Sequence, residues 1–226
     1  MNDVGVVIQA RMGSTRLPGK VLRPIGRTPL LGHVIGRLRE KKSPWAVVVA
    51  TTILDQDNVI SQWCLANQVE VYRGSALDVL DRYARTAARY DFSHIVRLTA
   101  DNPFTDIDEL SRLISKHLDE GNDYTHSFGA LPIGVGAEIF TRPALDRSDR
   151  EGHASNHREH VNEYVQENPS SFKIGQLEVS LEKQAPSLRL TVDTEEDWRR
   201  ADMLAKANAN GWLTTQEAIR LCSRFA

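Results

Sequence analysis

The chain has 226 residues, of which 41% are hydrophobic and 26% charged, and a formal net charge of −2. That size and apolar content suit one α/β domain, or one domain with a modest insertion. The slight negative charge argues against bulk electrostatic attachment to nucleic acid or acidic membranes, so any phosphate chemistry must come from a local basic cluster.

The opening MNDVGVVIQARMGS lacks a basic n-region and a long apolar run, so no signal peptide is expected. Val4–Ala10 and Trp45–Thr51 are too short to span a bilayer and read as strands. Pro29–Arg39 follows as a helix, with Leu30, Leu31, Val34, Ile35 and Leu38 at helical spacing. Ala46–Ala50 is a second buried strand, and Asn58–Asn67 a helix with Val59, Ile60, Trp63 and Cys64 inward. Val69–Tyr72 is a short strand, Leu77–Arg89 a helix, and His94–Leu98 a strand leading through Asp101-Asn102-Pro103 to a helix at Ile107–Leu118. Continuous apolar strands separated by helices predict a mainly parallel sheet covered on both faces. Ligands on such sheets bind beyond the C-terminal strand ends.

The second half is less regular. Asp123–Ser127, Ala137–Phe140, Phe172–Glu178 and Leu188–Val192 are expected as strands, and Pro143–Asp149 and Glu159–Asn168 as helices. Thr194–Ala209 is expected as a helix capped at Thr194, with Glu195, Glu196 and Asp197 in its first turn. The polar stretch Ser148–His160 reads as a loop or arm. Cys64 and Cys222 are far apart with no metal-spaced partner, as for two reduced thiols in a cytoplasmic protein. No repeat or linker divides the chain, so a single domain over residues 1–226 is expected.

The most informative segment is Gln9-Ala10-Arg11-Met12-Gly13-Ser14-Thr15-Arg16-Leu17-Pro18-Gly19-Lys20, directly after the first strand. Its two glycines permit close backbone approach to a ligand. Arg11, Arg16 and Lys20 match a triphosphate in number and sign, and arginine suits bidentate contacts to phosphate oxygens. A P-loop would need G-x-x-x-x-G-K-[ST]; here Gly13 and Gly19 are one residue too far apart and Val21 replaces the metal-binding hydroxyl. The dinucleotide pattern G-x-G-x-x-G is absent.

QARMGSTRLPGKVL resembles the start of the cytidylyltransferase family that includes 3-deoxy-manno-octulosonate and acylneuraminate cytidylyltransferases, and above all its spore-coat polysaccharide branch. VYRGSALDVLDRYARTA, VRLTADNPFTD, REHVNEY (Arg158–Tyr164) and LTVDTEEDW continue the resemblance in order along most of the chain. It implies a Rossmann-like three-layer fold of the nucleotide-diphospho-sugar transferase type, with a small arm at about residues 128–182 serving dimerisation and acceptor binding. The implied partners are CTP and a small acidic acceptor, the implied cofactor is Mg²⁺, and the implied assembly is a homodimer.

Asp101 follows the strand His94–Leu98, and Asp193 follows Leu188–Val192, so both carboxylates should face the crevice of the basic loop. Magnesium usually takes one or two carboxylates plus phosphates and water, and the family's metal-binding aspartates match these two positions. Asn102 departs from the family pattern, which bears on acceptor recognition. Asp106 and Asp108 form a D-x-D pair but lie in a first helical turn, where the dipole favours acids.

Gln9, Ala10, Arg11, Met12, Gly13, Ser14 and Lys20 are the expected nucleotide-binding residues of the loop. Arg73-Gly74-Ser75 ends a strand and opens a helix, so its backbone is a candidate wall for the base; the family adds Thr51 and Arg82, although Arg82 reads equally well as a surface partner of Asp78 or Asp81. The acceptor is expected over Pro132–Glu138 and Arg158-Glu159-His160, with Asn102, Glu138 and Arg158 as candidate contacts. His157 and His160 lack the H-E-x-x-H metal spacing. Arg11, Arg16, Lys20 and Asp101 are the expected catalytic residues of CMP transfer from CTP to an acid, a 2-keto-3-deoxy sugar acid first and a phosphonate or other nonsugar acid second. A nucleotide-sugar glycosyltransferase using Asp106 and Asp108, and a non-catalytic nucleotide-binding subunit, are the competing readings.

Overall fold

The computed structural model describes residues 3–208 and 211–225. In chain order its elements are β1 (Val4–Gln9), β2 (Pro24–Ile25), β3 (Thr28–Pro29), α1 (Leu30–Glu40), β4 (Ala46–Thr52), α2 (Asn58–Ala66), β5 (Glu70–Gly74), α3 (Val79–Tyr90) and β6 (His94–Thr99). There follow α4 (Ile107–Glu120), β7 (Tyr124–His126), β8 (Glu138–Thr141), α5 (Arg142–Glu151), α6 (Ser155–Glu159), α7 (Glu163–Glu167), β9 (Ile174–Gln176), α8 (Glu195–Ala207) and α9 (Thr215–Phe225).

Seven strands form one sheet in the order β5-β4-β1-β6-β8-β7-β9. β5, β4, β1 and β6 are parallel, and β8 enters antiparallel beside β6. The continuous apolar runs of β1 and β4 follow from burial on both faces: Val6 and Ile8 pack under α1, α2 and α4, while Val7 and Val48 pack under α3 and α5. This is the expected three-layer α/β architecture. The chain runs from β1 outward to β4 and β5, then returns to β6 on the other side of β1. The C-terminal ends of β1 and β6 therefore flank a topological switch point, where a crevice opens.

A third apolar cluster sits at that end of the sheet. Leu17 of the basic loop, Leu190, Val192, Leu204 of α8 and Leu213 are buried together there. The predicted strand Leu188–Val192 is not one: it makes only an isolated bridge, between Arg189 and Ile133. Leu190 and Val192 point into the third cluster, and no ladder strand runs beside them. The alternation was real, but it reports packing and not pairing.

Other boundaries shift for local reasons. The expected helix Glu159–Asn168 starts late, as α7 at Glu163; Glu159 instead ends α6, and Val161 is buried in the break between them. Ser148–His160 is not a loop, because α5 runs through it to Glu151 and α6 begins at Ser155. Val59, expected inward, is 41% exposed on α2. The hairpin of β2 and β3 had no strong signal in so short a segment. α8 is capped as expected by a reciprocal Thr194–Asp197 box, and Ala209, its expected end, lies outside the described residues. Residues 128–182 supply β8 and β9 to the sheet and α5 to its α3 side.

Two buried histidines are expected to make the fold pH-sensitive. Burial, reinforced by the charge of Arg37, pushes His33 down to about 4; burial, reinforced by His94, does the same to His117. Both lie below the unfolded value of about 6.5, so as pH falls through that window the unfolded chain binds protons the folded one refuses. Stability is therefore expected to fall between pH 6.5 and 4, each histidine contributing up to about 1.4 kcal/mol per pH unit. Calorimetric melting across that range checks this, and His117→Gln should make the slope shallower.

Candidate active site

The chain leaves β1 at Gln9 and turns at once. The Ala10 N–H donates to the Ala50 carbonyl at 3.1 Å, which keeps the turn on β4. The Met12 N–H donates to Asp57 Oδ1 at 2.7 Å. Asp57 is wholly buried just before α2 and also accepts the Thr52 hydroxyl. The Met12 carbonyl accepts the Ser14 and Gly19 N–H groups, both at 2.9 Å, which closes the segment into a compact loop. Gly19 closes it with φ +71°, a left-handed conformation that suits glycine. Met12 packs inward on the main core and Leu17 on the third cluster, so Arg11, Gly13, Thr15 and Arg16 are left exposed.

Lys20 does not follow them outward. Its ammonium is buried and donates to Asp101 Oδ2 and Asp193 Oδ1, both at 2.7 Å, and to the Val192 carbonyl at 2.9 Å. Arg16 approaches Asp193 at 3.3 Å, and Arg189 binds its other oxygen. Burial works to raise the Asp193 pKa, but the Lys20 hydrogen bond and the charges of Lys20, Arg16 and Arg189 outweigh it, so the carboxyl lies below its ordinary value. Capping is left to Thr194 and Asp197, and the Asp193 N–H is itself bound by Asp197 at 3.0 Å. The Asp193 side chain is thus free to face Lys20. The Val192 N–H donates to the Asp101 carbonyl at 2.9 Å, joining the two aspartate segments directly. Gly134 allows the same approach from the side: a Cβ there would lie 2.6 Å from Thr191 N, at φ +90°.

These groups line a cleft of about 540 Å³ over the ends of β1 and β6. Among the predicted residues, Gln9, Arg11, Gly13, Ser14, Arg16, Lys20, Asp101, Asn102 and Asp193 line it. Ala10 and Met12 support the loop from behind.

The others lie elsewhere. Arg73 spends its guanidinium on Thr52 O, Asn58 Oδ1 and Leu54 O, bracing the loop after β4. Ser75 accepts the Asp78 N–H, and its carbonyl accepts Arg82. Thr51 is buried beside Arg73 of the neighbouring strand. Arg82 is fully buried, not a surface partner of Asp78 or Asp81, and burial lowers its pKa. Glu138, expected at the acceptor, is also fully buried, bound to Arg97 and to the Tyr124 hydroxyl at 2.5 Å each. Arg158 is bound to Asp78 and to Asp149. Its neighbours Glu159 and His160 face the cleft in its place. His157 is turned away from His160 onto Glu167, at 2.6 Å. The D-x-D pair is divided: Asp106 caps α4 and holds Lys183 and Thr215, while Asp108 pairs with Lys41.

Three further residues matter to the site beyond those expected from the motifs. Asp57 left no signal beyond being an acid in a loop. Thr99 and Arg97 line the cleft from β6, and a lone arginine inside the apolar run IVRLT was a signal available to be read.

Residues 5–219 match the family model described as Cytidylyltransferase. The chain is 38% identical over 230 residues to the spore coat polysaccharide biosynthesis protein SpsF of Bacillus subtilis, covering 99% of this chain and 95% of that one. It is 33% identical to a 3-deoxy-manno-octulosonate cytidylyltransferase of Methylococcus capsulatus, over 61% of this chain and 53% of that one. A solved cytidylyltransferase from Leptospira borgpetersenii superposes with a TM-score of 0.93 at 33% identity, covering 100% of this chain and 95% of that chain.

Asp57 tests the loop's construction. Asp57→Ala strands the Met12 N–H and the Thr52 hydroxyl, at a cost of about 1–3 kcal/mol. The melting temperature should fall by roughly 2–12 °C, and inorganic triphosphate should bind more weakly by calorimetry.

Proposed function

The chain belongs to the cytidylyltransferase family, and from that premise we propose that it transfers CMP from CTP to a 2-keto-3-deoxy sugar acid, releasing pyrophosphate, in the making of a surface polysaccharide precursor. The observation that carries the reading is the meeting of the basic loop with Asp101 and Asp193 in one cleft. The sugar-acid and polysaccharide parts draw support from the names of the Methylococcus and Bacillus relatives.

Asp101 and Asp193 suit a divalent ion such as Mg²⁺. Both offer hard oxygen ligands, and with the Val192 carbonyl they already converge on a single positive charge, that of Lys20. Among the described residues no group of three His, Cys, Asp or Glu side chains converges in this way, so nucleotide phosphates and water would complete the ligand set. A bound ion there would act as a Lewis acid toward the α-phosphate.

The chain's own groups then have distinct tasks in an in-line attack by an acceptor oxygen on the α-phosphorus. Arg11 and Arg16, exposed at the cleft mouth, hold the departing pyrophosphate and offset the charge growing on it. Lys20, on a flexible stem, turns from the carboxylates to a phosphate oxygen when the triphosphate enters. Gln9, Gly13 and Ser14 border the nucleotide. Thr51, Arg73, Gly74, Ser75 and Arg82 shape the base side by fixing the ends of β4 and β5. Asn102 lies on the acceptor side with residues 128–182, through which the homodimer would also form. Two free thiols, Cys64 and Cys222, fit a cytoplasmic location, and no helix among the described residues is long and apolar enough to cross a membrane.

The glycosyltransferase reading loses its metal pair, because Asp106 and Asp108 serve separate ion pairs. A panel of 3-deoxy-manno-octulosonate, N-acetylneuraminate and a small phosphonate, assayed with CTP and Mg²⁺, should give pyrophosphate with at least one acid and no free nucleoside diphosphate. Asp101→Asn should cut that release by about 1,000-fold, roughly 4 kcal/mol of barrier. A near wild-type rate would remove Asp101 from the mechanism.

A further inference from the structure

Arg97 stands in the middle of β6, among the buried residues Ile95, Val96 and Leu98. Its side chain is only 18% exposed, yet it lines the cleft. Among the described residues its one side-chain hydrogen bond runs from Nη1 to Glu138 Oε1 at 2.5 Å, and its Nε is buried without a partner. The second oxygen of Glu138 is taken by the Tyr124 hydroxyl. Each Glu138 oxygen is thus occupied inside the protein, while Arg97 keeps donors to spare, since a guanidinium carries five in a planar fork. Burial works against the Arg97 charge, but Glu138 more than compensates and holds its pKa above the ordinary value. The side chain stays cationic at any working pH.

Its position selects a ligand. β6 lies on the far side of β1 from β4 and β5, and so on the far side from the expected base wall. The other arginines and lysine of the cleft belong to the loop after β1, and two of them, Arg16 and Lys20, are engaged with Asp193. An acidic acceptor adds a negative charge to a cleft that must also hold a triphosphate. On the side of residues 128–182 the cleft is lined by exposed Glu159, an acid that offers an acceptor anion no counter-charge, with exposed His160 beside it. Arg158 cannot serve, because its donors are spent on Asp78, Asp149 and Gly152.

We propose that Arg97 binds the acceptor's carboxylate, and that Glu138, out of reach of any ligand, is the counter-ion that aims it. The inference rests on the cytidylyltransferase reading for the acceptor's class, but its test is a binding measurement. Saturation-transfer NMR would follow 3-deoxy-manno-octulosonate and N-acetylneuraminate with the wild-type chain, with R97K and with R97M. At least one acid should bind the wild type. R97M should weaken it tenfold or more, about 1.4 kcal/mol, and R97K should recover part of the loss by restoring charge without the fork. R97M leaves Glu138 buried and unpaired, so the R97M/E138Q pair, neutral at both positions, is the folded control and should also lose acid binding. CTP affinity measured by calorimetry with Mg²⁺ should change less than threefold in that double variant. Acid binding unaffected by R97M/E138Q, a tenfold loss of CTP affinity, or no acid binding to the wild type each overturns the assignment. Acids that bind through Arg97 but yield no pyrophosphate would sink the transferase reading and leave this one standing.

Discussion

The Lys20 ammonium lies between carboxylates that come 81 and 173 residues later in the chain. Two acids brought this close without a cation would repel each other, and the cost would grow with their burial. The loop after β1, the end of β6 and the segment before α8 can share one cleft because a single buried charge answers both acids. The third apolar cluster does the mechanical part, since Leu17, Val192 and Leu204 pack together beneath it. Neither contribution suffices alone: the cluster brings the segments near, and Lys20 makes their polar ends compatible.

Much of this was legible in the sequence where a residue's neighbours are dictated by local pattern. β1, β4 and β6 announced themselves as continuous apolar runs because helices cover both faces, and Thr194–Asp197 announced the start of α8 because a capping box is local. The segment Leu188–Val192 misled for the opposite reason. Its apolar alternation is satisfied by Leu204 and Leu213, not by a ladder partner, and alternation does not distinguish the two. The break between α6 and α7 was hidden because Val161 looks like one more helical core position.

Charged residues were read less well than apolar ones, and for a consistent reason. A sequence shows a charge but not its counter-ion. Glu138 and Arg158 sit in the expected region of the fold, yet each is consumed by partners far along the chain, Arg97 and Asp78 respectively. Arg73 is likewise spent on bracing the loop after β4. Asp57, which no motif marks, holds the loop's backbone in place. The cleft thus has a front row of cations and acids exposed to ligand, and a back row that is saturated within the protein. Membership of one row or the other turns mainly on contacts between distant parts of the chain.

That two-row arrangement also reconciles a chain of net charge −2 with the polyanion site proposed for the cleft. Field at a ligand depends on nearby, poorly screened charges more than on the whole surface. Arg11, Arg16 and Arg97 face the cleft, while Lys20 cancels much of the negative field of Asp101 and Asp193 before any ligand arrives. An empty cleft built without Lys20 would present two bare carboxylates to an incoming triphosphate and turn it away. On the proposed reading the same lysine has value in both states: in the structure it masks the acids, and phosphate oxygens entering with a divalent cation would take over its charge.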